Sequence, residues 1–344
     1  MNDSEISNLN EALKKALDRE ETYLIIPLIE KKVNADIPNH DGNYPIHLAV
    51  LKEDLYLLKY LIENKANLDV LNHYTKRSAL MMAVQGNYER AAEILIKKGA
   101  NLDKQDSYLE TALHVSVRHS NEMLTDLLIK RNANLNIQNN KGWTPLMIAV
   151  RRGNKKIASW LVEKGADLSL KDQNGWQALT WAADLGHTGL VKMLIEAGSD
   201  MNHQDDRGRT ALMRAVKNDY IETVFLLLMK GVDASIQDVY GKTALDYAQE
   251  RGCQESVKLL LLTEKFNQEQ KQDSFSEEKL QDLFLNEKGE VFGTLKMQGK
   301  QKIYQFKTDG KEIYLKQVEL KKSTPLQKIL KDVFIRNLMH QKEE

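Results

Sequence analysis

The side chains that most often carry covalent or metal chemistry are sparse in this chain and badly spaced for it. Eight histidines and one cysteine are present. Yet there is no His-Glu-x-x-His pair to hold zinc on one helix face, no glycine-rich phosphate loop and no Gly-x-Ser-x-Gly elbow for an activated serine. Cys253 stands alone, so neither an intrachain disulfide nor a cysteine-built zinc site can form. Without a histidine at partner spacing it reads as a spectator thiol. No enzyme activity, cofactor or metal is expected. What remains is the chemistry of recognition. Tyr108, Trp143, Trp176 and Tyr240 each lie shortly before a recurring hexapeptide, Trp181 follows on a helix, and Arg151, Arg152, Arg209 and Arg214 come around them. Large aromatics outside a core are enriched at binding hot spots, where truncation costs about 2 kcal/mol or more. An aromatic surface with a basic rim suits an acidic or amphipathic segment of a protein partner, and no small-molecule substrate is expected. The alternative is that Trp143 and Trp176 lie flat on neighbouring loops and cover the turns.

The elements that must position these residues follow from a period. The hexapeptide reads Tyr44-Pro-Ile-His-Leu-Ala, Ser78-Ala-Leu-Met-Met-Ala, Thr111-Ala-Leu-His-Val-Ser, Thr144-Pro-Leu-Met-Ile-Ala, Gln177-Ala-Leu-Thr-Trp-Ala, Thr210-Ala-Leu-Met-Arg-Ala and Thr243-Ala-Leu-Asp-Tyr-Ala, spaced by 34 and then five times by 33 residues. A weaker copy, Glu11-Ala-Leu-Lys-Lys-Ala, precedes them by another 33. A second landmark keeps the same register: Lys32-Val-Asn, Lys65-Ala-Asn, Gly99-Ala-Asn, Asn132-Ala-Asn, Gly165-Ala-Asp, Gly198-Ser-Asp and Gly231-Val-Asp.

One unit, from Thr144 to Trp176, reads as a helix hairpin. Thr144 can cap a helix and Pro145 sits at its first turn, where a missing N–H costs nothing. Leu146, Ala149 and Val150 share one helical face, Gly153-Asn154 interrupts it, and Ile157, Ala158, Leu161 and Val162 give a second apolar stripe. Gly165 follows where a helix commonly ends in a left-handed residue; Asn132 tolerates that conformation, while Lys32 and Lys65 suit it less. Asp172-Gln-Asn-Gly175 supplies a tight turn between units. The recurring Leu13, Ile46, Leu80, Leu113, Leu146, Leu179, Leu212 and Leu245 are expected to stack into a core, with the pairs from Leu28/Ile29 to Leu260/Leu261 beside them. The small residues from Ala16 to Ala248 are expected on the tight side of each first helix.

This pattern resembles the ankyrin repeat, whose signature includes Thr-Pro-Leu-His and a 33-residue period. The resemblance covers about residues 8 to 262 and implies an all-α solenoid of about eight helix-turn-helix units that binds protein partners on a concave face lined by the first helices and the loops before them. Only His47 and His114 keep the histidine of the signature and are read as structural; Met81, Met147, Thr180, Met213 and Asp246 replace it. The loop before Ser78 carries one extra residue.

Past Leu262 the period stops. Residues 263–273 read as a polar helix extension or linker, and Ser274-Phe-Ser-Glu277 as a capping box before another helix. Three strand-like runs follow, Val291 to Leu295, Lys302 to Lys307 and Glu312 to Val318, with an Asp309-Gly310 hairpin signal. Ser323-Thr-Pro325 then opens a last helix. The expected organisation is a degenerate capping unit over 1–42, seven repeats over 43–262, a linker and helix over 263–287, and a small basic α+β module over 288–344.

Composition bounds the partners. Lys+Arg and Asp+Glu number 49 each, so no global field steers the chain toward nucleic acid or an anionic membrane. From Lys288 to Arg336, however, eleven lysines and one arginine face five acids, a net charge of +7. With Tyr304, Phe306 and Tyr314 interleaved, attachment to nucleic acid or anionic membrane through this module is the alternative to a protein-binding scaffold. The simpler reading is that the lysines protect strand edges. The polar, acidic start from Met1 lacks the pattern of a secretory leader, and the apolar run Leu259 to Leu262 falls far short of the roughly 18 residues that span a bilayer. A cytoplasmic protein is expected. The C-terminal Leu338 to Glu344, polar with a hydrophobic pair, is similar to some type IV secretion signals, so a bacterial effector acting in a host cell is a further reading.

Overall fold

The computed structural model describes residues 3–31, 36–270, 293–298, 301–308 and 311–315. It divides into two compact units, residues 1–200 and 201–344.

Unit one is six helix pairs: α1 (Asp3–Asp18) with α2 (Thr22–Glu30), α3 (Pro45–Leu51) with α4 (Leu55–Glu63), α5 (Ala79–Gln85) with α6 (Glu89–Lys97), α7 (Ala112–Arg118) with α8 (Glu122–Lys130), α9 (Pro145–Arg151) with α10 (Lys155–Glu163), and α11 (Ala178–Asp184) with α12 (Thr188–Glu196). From α3 onward each first helix packs on the next first helix, and from α2 onward each second helix packs on the next second helix. Unit two holds α13 (Ala211–Lys217), α14 (Ile221–Met229), α15 (Ala244–Arg251) and α16 (Gln254–Gln270), with α13 on α15 and α14 on α16. The segment after Leu262 therefore begins as a helix extension. Unit two also holds an antiparallel sheet of order β1 (Gly293–Gln298), β2 (Gln301–Thr308) and β3 (Lys311–Leu315), pairing Leu295 with Tyr304 and Phe306 with Ile313. The helices read from Ser274 and Ser323 lie outside the described residues.

Capping fixes where first helices begin. Ser78, Thr111, Thr144, Thr210 and Thr243 each accept a hydrogen bond from the backbone N–H three residues on, satisfying a donor the helix cannot. Asp54, Asn121 and Asn154 do the same for second helices. Between the two helices the chain reverses through a left-handed residue, and the same conformation recurs at Lys65, with φ 61°, and Asn132, with φ 62°. Lysine is thus accommodated where glycine is the easier choice.

Leu13, Ile46, Leu80, Leu113, Leu146, Leu179 and Leu212 are all at most 2% exposed, and Ala16, Ala49, Ala83, Ser116, Ala149, Ala182, Ala215 and Ala248 are equally buried. The expectation holds only in part. Leu28, Ile29, Ile62, Val162, Ile195 and Leu245 are only half-buried, and Leu261 is exposed. At the first pair Ile25, one turn earlier, takes the core position instead. Adjacent residues on a helix point in different directions, so in several pairs the first member fills the core and the second lies at its margin.

Truncating Leu146 to alanine is expected to destabilise the fold by about 2 to 5 kcal/mol in urea unfolding, because a buried leucine loses both transfer energy and packing. Leu109 offers the opposite test. It holds a left-handed φ of 58° and is 47% exposed, so Leu109→Gly should raise stability by roughly 1 kcal/mol.

Candidate functional site

Each loop between pairs is a finger, and each finger is built on one buried amide or carboxylate. Asn39, Asn72, Asp106, Asn139, Asp172, Asp205 and Asp238 are at most 8% exposed and recur at intervals of 33 or 34. In every finger the side-chain Oδ1 accepts backbone N–H groups from the tip. Asn139 takes those of Lys141 and Trp143, Asp172 those of Asn174 and Trp176, and Asp238 those of Tyr240 and Lys242, all at 2.8–3.0 Å. The anchor's own N–H closes the loop onto a carbonyl four residues on, as from Asp172 to Trp176 at 2.9 Å; in the finger with one extra residue, Asn72 reaches Arg77 instead. Adjacent tips come so close that a Cβ on Gly142, whose φ is 75°, would lie 2.9 Å from the Asp172 backbone.

The second atom of each anchor decides what gathers around it. An Asn presents an N–H donor, and acceptors meet it: Asn72 donates to Asn43 Oδ1 at 2.7 Å and Asn139 to Glu110 at 3.1 Å. An Asp presents a second oxygen, and donors meet it. Arg77 reaches Asp106 at 3.3 Å. Tyr247 donates to Asp238 at 2.6 Å, and Arg209 lies 3.8 Å from the same oxygen. Arg214 is bonded to Asp205.

Asp172 collects two indoles. Its Oδ2 accepts from Trp143 Nε1, on the preceding finger, at 3.3 Å and from Trp181 Nε1, on α11, at 3.1 Å. Trp143 and Trp181 meet edge to face with centroids 6.0 Å apart, and Trp176 tilts against Trp181 at 4.4 Å. The Arg151 guanidinium lies 3.9 Å from the Trp143 centroid and 4.6 Å from that of Trp181, and Lys141 Nζ lies 4.7 Å from Trp143. Burial and the adjoining Arg152 push the Arg151 pKa down from its ordinary value, and Asp172 pulls it back. All three tryptophans remain half-buried, and Arg151 and Arg152 are exposed. The arrangement holds no group poised for bond making; it can recognise a surface.

Five of the nine residues read as candidates from sequence, Trp143, Trp176, Trp181, Arg151 and Arg152, lie in this one stretch of unit one. Tyr108 and Tyr240 are at finger tips, 57% and 70% exposed, each two residues past its anchor. The tryptophans stand four residues past the anchor, at the finger base, so tyrosines and tryptophans that looked equivalent occupy different places. Arg214 is 8% exposed on Asp205, and Arg209 donates to Tyr247 Oη at 3.1 Å. The structure therefore places these two as finger supports rather than as an exposed rim. The anchors themselves went unread, although the periodic Asn or Asp, followed nine residues later by Trp181, Arg214 or Tyr247 in the last three fingers, was a usable signal. Arg77 was also missed; it lines a groove with Leu51, Tyr74, Met82 and Tyr88.

His47 and His114 link fingers to helices. Each Nδ1 accepts from the N-cap backbone N–H, of Tyr44 or Thr111, at 3.2 Å, which leaves Nε2–H to donate to the carbonyl of Val70 or Trp143 at 3.1 Å. Burial holds both pKa values down at about 4, against the pull of those carbonyls. Burial, with Asp219 beside it, pushes the Cys253 thiol pKa up. Among the described residues no three His, Cys, Asp or Glu cluster as a metal site would require, and no helix is long and apolar enough to cross a membrane.

The family described as ankyrin repeats (three copies) matches over residues 13–106, 101–172 and 179–272, and the chain belongs to this family of stacked helix-hairpin repeat proteins. Among solved structures it is similar to the ankyrin repeat domain of Bcl-3, described as a unique member of the IkappaB protein family, at 25% identity and a TM-score of 0.58, over 64% of this chain and all of that one. No curated protein sequence matches the chain.

The two histidines set an acid limit. Unfolded, each titrates near 6.5; folded, each stays neutral down to about 4, so the unfolded state binds more protons in between and stability falls as the pH is lowered. The contribution is full above pH 6.5 and lost on the way to pH 4, on the order of 3 kcal/mol per histidine. Urea midpoints measured from pH 7 to pH 4 should fall accordingly, and more shallowly in His114→Asn.

Proposed function

We propose that this protein is a non-enzymatic interaction scaffold that binds a protein partner across the fingers and first helices, with Trp143, Trp176, Trp181, Arg151 and Arg152 at the centre of the contact. Membership of the ankyrin repeat family supports the general role. The observation that supports the location is the clustering of three half-buried indoles, two of them bonded to the Asp172 carboxylate, with the Arg151 guanidinium over their rings. A side chain needed only for packing would be covered, whereas these three are only half-buried. Aromatic and arginine side chains held in place this way lose little entropy on contact, which is what makes hot spots effective. The partner segment we infer is acidic or amphipathic. In domain terms, the seven repeats over 43–262 would carry recognition, with residues 1–42 as cap and 288–344 as a separate basic module.

Affinity capture from lysate with the full chain, with residues 1–262 and with the full chain carrying Trp176→Ala and Trp181→Ala tests this. A protein retained by the first two baits and lost with the third supports the reading. Capture that ignores the tryptophans and requires residues 263–344 would overturn it and favour the basic module.

A further inference from the structure

The charges around the indole cluster are not balanced within it. Arg118 is paired with Glu110 and Arg77 with Asp106. Arg151, Arg152 and Lys141 have, among the described residues, no side-chain hydrogen bond or ion pair; Arg151 and Lys141 instead face the rings. The one acid integrated into this cluster, Asp172, is only 6% exposed and has both oxygens occupied, Oδ1 by two backbone N–H groups and Oδ2 by two indoles. Three cations over one committed carboxylate leave a local excess of +2 with free N–H donors at the surface.

We propose that Arg151, Arg152 and Lys141 form a carboxylate-binding subsite that reads two acidic side chains of a partner peptide, and that Asp172 is its positioning residue. This deepens the scaffold reading and rests on it. Arg151 is the central donor: its guanidinium already lies over two indole rings, so part of its freedom is spent before the partner arrives. Two carboxylates match the +2 excess. Trp176, tilted beside Trp181, supplies the apolar surface between them. Asp172 acts through others, since its Oδ2 accepts from both Trp143 on one finger and Trp181 on α11.

The natural test separates this role from folding. Asp172→Asn keeps an Oδ1 for the turn, as Asn139 and Asn72 already do in their own fingers, but turns the second atom into a donor facing two indole donors. The probe is an acetylated, amidated Gly-Glu-Leu-Glu-Gly peptide, titrated into the ¹⁵N-labelled full chain while the indole N–H resonances are followed. Expected are saturable shifts at Trp143 and Trp181, affinity at least tenfold weaker for the Gln-for-Glu peptide, and a similar loss in Arg151→Gln. Asp172→Asn should move both indole resonances in the free protein and lose at least tenfold in affinity with an unchanged far-ultraviolet spectrum. Equal binding of the Gln peptide, full affinity in Asp172→Asn, or a phosphoserine peptide binding tenfold tighter than the Glu peptide would overturn the proposal. A partner captured through Trp176 and Trp181 but indifferent to Arg151→Gln with Arg152→Gln would overturn it too, while leaving the scaffold reading in place.

Discussion

A loop that projects from a helix hairpin has no sheet or helix ladder to absorb its backbone N–H groups, and leaving them unpaired next to a neighbouring loop would cost 1–3 kcal/mol each. In this protein one buried side-chain oxygen per finger meets that demand. Asn39, Asn72, Asp106, Asn139, Asp172, Asp205 and Asp238 all do so while at most 8% exposed. Finger shape, the spacing between tips and the direction in which each finger-base residue points all depend on it. The packed leucines hold helices together without specifying any loop; the anchors specify the loops.

Because the first oxygen is committed to the turn, variation is confined to the second atom, and that atom sorts the neighbours by hydrogen-bond sense. Asn139 recruits Glu110, whereas Asp172 recruits Trp143 and Trp181, and Asp238 recruits Tyr247 and Arg209. The candidate site is thus a special case of a structural rule. Where the donors are indoles, satisfying the carboxylate also gathers two aromatic rings, with a third against them and a guanidinium over them. On the proposed reading, stability and recognition use the same atoms here.

Much of this was legible in the sequence because the hexapeptide and the Gly-Ala-Asn landmark keep one period, and a periodic apolar pattern admits one stacking solution. Burial of Leu80, Leu113 and Leu146 and the caps at Thr144 and Thr210 followed directly. The rim arginines did not. Arg209 and Arg214 look like Arg151 and Arg152 in sequence, but their fate is set by Asp238 and Asp205, and the contact from Arg209 to Asp238 spans 29 residues that only the fold closes. The tyrosine and tryptophan classes separated for a similar reason: an offset of two residues from the anchor decides between a tip and a base, and the anchor must be recognised before offsets can be counted. The core pairs were misread at residues such as Ile62, Val162 and Ile195 because two adjacent apolar residues on a helix need not both face the core.

The choice of Asn or Asp at each anchor has a consequence for how such an array can grow or shrink. Repeats that share a backbone are usually treated as interchangeable modules, added or removed in units of 33. Here adjacent fingers are matched in polarity, since Glu110 meets the amide of Asn139 and Trp143 meets the carboxylate of Asp172. Excising residues 139–171 would remove one whole repeat and leave the remaining helices and turns intact, yet bring Glu110 against Asp172, acid to acid, and remove an indole from the cluster. The order of the repeats is therefore part of the fold, and recombination within this array is constrained by hydrogen-bond sense even where shape is preserved.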